Sequence, residues 1–233
     1  MFTYYDPTII LLIPAVIFTF YAQAKVSRAY STYLKVRNRK GISGAEAARI
    51  ILDANGCQHV PVQITNGKLS DHYDPRKNIL RLSPDVSRQS SIASVAIAAH
   101  EAGHAIQDEK SYGPLKIRNV IAPVVGIVSN LAWPLLIIGM VLSSAGEYVT
   151  GNLLFNLGIL FFFGVVLFHL ITMPVELNAS KRALNQLVAL DIIYPEEQSG
   201  AKKVLSAAAL TYLAALAMAI ANLLRILAIR GRN

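Results

Sequence analysis

The sequence predicts a mainly α-helical integral membrane protein with three to four membrane helices and a small antiparallel β element. Of 233 residues, 54% are hydrophobic and only 15% are charged. Several apolar stretches approach or exceed the roughly 20 residues needed to cross a bilayer. Between them lies a segment with short strand and helix patterns and one chemically loaded pentapeptide, His100-Glu101-Ala102-Gly103-His104.

The first apolar stretch is Thr8 to Tyr21. Ala22-Gln23-Ala24 resembles a signal-peptidase site, but Met1 to Pro7 contains Asp6 and no Lys or Arg, the opposite of a signal n-region. Residues 1–24 are therefore read as an uncleaved anchor. Lys25, Arg28, Lys35, Arg37, Arg39 and Lys40 follow at once and hold that end in the cytoplasm by the positive-inside rule. Residues 25–116 then form a cytoplasmic-side catalytic segment. Ser43 caps a short helix reaching Ala54, with Glu46 at N3 and Asn55-Gly56 as its stop. Val60 to Ile64 and Ile79 to Leu82 alternate like strands, punctuated by Asn66-Gly67 and Asp74-Pro75 turns. An edge strand there offers a template for an extended peptide.

Val120 to Ser143 and Leu153 to Met173 are joined by a loop with Glu147 and no Lys or Arg, giving a transmembrane hairpin over 117–175. Residues 176–201 form a helix and loop on the motif's side of the membrane. Residues 202–233 carry an Ala-rich apolar helix, read as a crossing on length. Arg225, Arg230 and Arg232 beyond it run against the positive-inside rule. The net charge of +8 gathers beside apolar segments. That pattern implies topology and contact with the lipid bilayer, and excludes a nucleic-acid partner. The single Cys57 excludes an intramolecular disulfide and a cysteine-rich metal ribbon.

Residues four apart on a helix share a face, so His100 and His104 can reach one metal ion. Glu101 beside them is placed to act as a general base on a metal-activated water. Ala93, Val95, Ala96, Ile97, Ala98 and Ala99 favour helix before the motif, and Ser90 or Ser91 can cap it. A catalytic zinc site needs a third protein ligand. His59, His72 and His169 are available, but Glu176 in Pro174-Val175-Glu176-Leu177-Asn178-Ala179-Ser180 is favoured. The hairpin returns it to the motif's side.

Ser70 to Arg76, Ala99 to Gln107 and Pro174 to Ser180 together resemble the neutral zinc metallopeptidases of bacterial membranes. These are similar in plan to the membrane gluzincins related to the heat-shock protease HtpX. The resemblance implies a zincin-like HExxH helix, one Zn2+ per chain held by His100, His104 and Glu176, and Glu101 as catalytic base. It implies hydrolysis of a peptide or membrane-protein substrate at the cell (inner, plasma) membrane. Where gluzincins often carry Asp four residues after the ligand Glu, this chain has Ser180, the candidate hydrogen-bond partner of a histidine. His169, inside an apolar stretch, is a second such candidate or a fourth ligand. His72, Asp74 and Arg76 are candidate contacts to substrate or transition state. The rival class is a non-catalytic membrane scaffold with a structural metal, which would recruit a fourth protein ligand.

Overall fold

The computed structural model describes residues 7–231. Met1 to Asp6 and Arg232, used in the reading of the N-terminal anchor and the C-terminal charge, lie outside them. A 3-10 turn over Pro7–Leu12 leads into α1 (Ile13–Leu34), followed by α2 (Gly44–Ala54). The strands β1 (Val62–Ile64), β2 (His72–Asp74) and β3 (Ile79–Leu82) come next. Helices α3 (Pro84–Arg88), α4 (Ile92–Glu109), α5 (Gly113–Ser144), α6 (Tyr148–Ala189) and α7 (Gln198–Arg230) complete the described chain.

The molecule is a mainly α-helical membrane protein. Four helical segments, Pro7–Leu34, Gly113–Ser144, Tyr148–Ala189 and Pro195–Arg230, are long and apolar enough to cross a bilayer. The Ala-rich C-terminal helix is one of them. Pro174 neither ends nor restarts a helix, since α6 runs through it without interruption.

The chain divides into two compact units. One comprises Met1–Tyr21, Ile117–Met173 and Tyr212–Asn233, and its described residues are helical apart from the 145–147 turn and Gly231. Its packing rests on small residues. A side chain at Gly139 would strike the Phe155 amide and the Gly151 carbonyl at 2.6 and 2.7 Å, so α5 and α6 meet backbone to backbone. Ala132, Leu136, Phe155, Phe162 and Ile226 are buried there, whereas Val120 and Val149 are 75% and 87% exposed.

The other unit, Ala22–Lys116 and Pro174–Thr211, has an interior of the water-soluble kind. Its core is built around α4, whose Ala93, Ala96, Ala98, Ala99, Ala102 and Ala105 are all buried. Short side chains let neighbours approach closely. Gly44 of α2 sits so near the Val86 carbonyl that a Cβ there would be 2.1 Å from its oxygen. The Ser43–Glu46 capping box closes the start of α2, and Ser91 caps α4 by accepting from the Ser94 amide.

The sheet departs from the expected antiparallel element in one strand. The β2–β3 pair is antiparallel, joined by the Asp74–Asn78 turn, but β1 pairs with β3 in parallel, Val62 opposite Leu80. The strand order is β1-β3-β2. The Asn66-Gly67 turn therefore makes no hairpin: the 65–71 loop carries the chain past the position that β3 later fills. Both β1 and β2 are edges of a mixed sheet.

Candidate metal centre

Two helices deliver the ligand set, and both contributing segments belong to the same compact unit. Helix α4 presents His100 and His104 on one face, their rings 4.8 Å apart and nearly perpendicular at 84°. Helix α6 presents Glu176, whose Oε2 lies 3.2 Å from His100 Nε2 and 3.4 Å from His104 Nε2. Candidate ligand atoms of the three residues lie within 4.8 Å of one another. Among the described residues they form the one such group of three, and neither His72 nor His169 joins it. The side chains are 12%, 9% and 4% exposed, so the cluster is largely withdrawn from water.

Two imidazoles and a carboxylate, buried together with their free edges converging, match the donor set of a zinc ion. The approach of the helices depends on Gly103, between the two histidines. A Cβ there would stand 2.8 Å from the Ala179 carbonyl oxygen. That clearance lets α6 lie close enough for Glu176 to reach the imidazoles.

Each histidine is held on its other nitrogen. Ser180 Oγ lies 3.2 Å from His100 Nδ1, and Gln107 Oε1 lies 2.9 Å from His104 Nδ1. Glu101 sits one residue along α4, where its Oε2 accepts from the backbone amide of Tyr73 at 3.0 Å. Removal from water pushes the Glu101 carboxyl above its ordinary range. His100 opposes that shift, nearby Glu176 and Asp71 add to it, and the Tyr73 amide opposes it again. Asp71 accepts from the Ser83 amide and hydroxyl at 2.7 and 3.1 Å, fixing the chain before β2. Burial raises its carboxyl against those two bonds.

Of the three turn residues, His72 and Asp74 point away from the cluster, and Arg76 contributes its backbone amide to the turn. Strand alternation sends Tyr73 toward α4, where its hydroxyl donates to Asp108 at 2.9 Å, and turns His72 and Asp74 to the opposite face. There Arg81 lies across from them, its Nη1 3.4 Å from His72 Nε2 and 3.3 Å from Asp74 Oδ2. His72 Nδ1 meets the Ser70 carbonyl at 2.7 Å. Asp74 Oδ1 accepts from the amides of Arg76 and Lys77 at 3.0 and 3.2 Å, shaping the turn. Removal from water opposes the lowering of the Asp74 carboxyl, which these amides and Arg81 produce. His169 belongs to the other unit, where its ring stands beside Phe168. His59 lies 3.9 Å from Glu109, and Cys57 is buried, its thiol pushed up by desolvation.

Sequence reasoning passed over Gln107, Gly103 and the Tyr73 amide. Gln107 had a readable signal: it follows His104 by three positions on one helical face, yet is polar in a run otherwise apolar enough to be buried. The amide of an edge strand leaves no mark in a sequence.

A membrane helix bundle joined to a unit that gathers an HExxH helix and a distant glutamate defines a metallopeptidase-like class. The chain belongs to the family described as "Putative neutral zinc metallopeptidase", whose model matches residues 8–231. It is 45% identical over 227 residues to the "Putative membrane protease YugP" of Bacillus subtilis (strain 168), covering 97% of this chain and 98% of that relative. No solved structure matches it.

Proposed function

We propose that this protein is a membrane zinc endopeptidase that hydrolyses peptide bonds with Glu101 as general base. The observation that carries the reading is the convergence of His100, His104 and Glu176, with Glu101 beside them. One Zn2+ held by these three residues would supply Lewis acidity toward a peptide carbonyl and toward water. Three protein ligands, rather than four, favour a catalytic over a structural ion.

The chain's own groups account for the proton traffic. Glu101 takes a proton from the attacking water on its carboxylate and returns it to the leaving amine nitrogen. The Tyr73 amide orients that carboxylate, and burial makes it a stronger base than an ordinary glutamate. The sheet's edge strands offer backbone to an extended peptide, the substrate class we assign. We place the site on the cytoplasmic side of the cell membrane, on the strength of Lys25, Arg28, Lys35, Arg37, Arg39 and Lys40.

Glu101→Gln is expected to lower peptide hydrolysis roughly 10²–10⁴-fold while leaving zinc content unchanged. The assay compares it with wild type on a membrane-protein substrate pool, with and without chelator. Full, chelator-insensitive cleavage by the variant would reject the proposal.

A further inference from the structure

We infer that Gln107 is a positioning residue that presets the tautomer of His104, so that Nε2 is the nitrogen offered to a metal. The inference rests on the metal-centre reading above and adds a role for a residue outside the ligand set.

Gln107 is fully buried, so water cannot serve as an alternative partner. Its Nε2 lies 2.8 Å from the Val175 carbonyl oxygen, which can only accept. The nitrogen end of the amide must therefore face Val175, and its second N–H reaches Asn178 Oδ1 at 3.0 Å. Asn178 is oriented in turn, because the same oxygen accepts from Arg182 Nε at 2.7 Å. With both donors committed, the Gln107 oxygen faces His104 Nδ1 at 2.9 Å. An amide oxygen accepts, so Nδ1 carries a proton, and whenever the ring is neutral it is Nε2, on the side of Glu176, that has the lone pair for a metal.

His100 is held differently. Its Nδ1 partner is the Ser180 hydroxyl, which rotates and can donate or accept. The two ligating imidazoles thus differ: one is locked by a chain of bonds ending in backbone, the other is adjustable. Val175 neighbours Glu176, so the same Gln107 side chain also ties the ligand turn of α4 to that of α6.

The test is zinc affinity of the full-length, detergent-solubilised protein, read by competition with a chromogenic chelator. Gln107→Met fills a similar volume without the amide and is expected to bind zinc about 10–100-fold more weakly. Gln107→Glu keeps an oxygen toward Nδ1 but sets its other oxygen against the Val175 carbonyl and Asn178 Oδ1, so it is expected to bind zinc more weakly than wild type and more tightly than Gln107→Met. A role confined to packing predicts the reverse order, because a buried position accepts a thioether more readily than a carboxyl. Wild-type affinity in Gln107→Met, or Gln107→Glu binding more weakly than Gln107→Met, overturns the inference. Should Gln107→Met not fold, the ring 15N shifts of His104 in labelled wild-type protein decide: a proton on Nδ1 supports the inference, and a bare Nδ1 overturns it. No zinc binding by wild type would reject the metal centre itself, an outcome distinct from equal affinities in wild type and Gln107→Met.

Discussion

Ile64 and Leu131 are almost equally exposed, at 49% and 46%, yet they belong to regions built for different solvents. Ile64 ends β1 in the unit that carries the metal centre, and its neighbours along the chain are polar. Leu131 lies midway along α5, in a 32-residue helix where exposed apolar side chains are the rule. In the first region burial marks the core and exposure marks the surface. In the second, exposed apolar area is what a lipid-facing helix requires, and small residues mark the inside. Accessible area alone therefore does not say which residues matter; the surrounding medium does.

An aspartate at each position separates the two regions most sharply. Leu131→Asp is expected to disfavour membrane insertion by about 2.5–3.5 kcal/mol, and Ile64→Asp to change stability by no more than about 0.5 kcal/mol. A glycosylation-mapped insertion assay reads the first and thermal unfolding of solubilised protein the second. Equal tolerance at both sites would break the comparison.

Glycine provides a finer contrast. Gly103→Ala gains helix propensity but puts a methyl 2.8 Å from the Ala179 carbonyl, so a loss of about 1–3 kcal/mol in stability and weaker zinc binding are expected. Gly126 of α5 has open space where its Cβ would be, and Gly126→Ala is expected to be neutral or mildly stabilising in the same unfolding assay.

The smallest expected effect lies in the α2 cap. The Ser43 amide, then its hydroxyl, draw the Glu46 carboxyl below its ordinary value of 4.5 against a slight desolvation. A lowered folded-state value means that the charged form stabilises the fold. Its contribution is present above pH 4.5 and is lost as pH falls through the lower folded-state value. Glu46→Gln should accordingly be less stable than wild type near neutral pH and indistinguishable from it in strong acid, as followed by thermal unfolding across pH.

Much of this arrangement was legible in the residues. The small apolar residues around His100 and His104 marked a buried helix, Ser90 or Ser91 offered its start, of which Ser91 is the cap, and Ser43 with Glu46 marked the start of α2. Glu176 was readable because a zinc site lacks closure without a third donor and Pro174 to Ser180 supplied one. The parallel pairing of β1 was not readable, since strand alternation is the same in either direction and only the path of the 65–71 loop decides. The role of Gly103 was not readable, since it depends on Ala179 of another helix lying against it. Gln107 could be singled out by its place on the His104 face, but its partners, 68 and 71 positions away, could not be read.

The central claim is that one side chain of α6 completes a metal site begun on α4. Zinc content per chain, measured on wild type and Glu176→Ala purified side by side, tests it most directly. The account predicts about one zinc per wild-type chain and a marked loss in the variant with its helix content preserved. Undiminished zinc in a folded Glu176→Ala protein would contradict it.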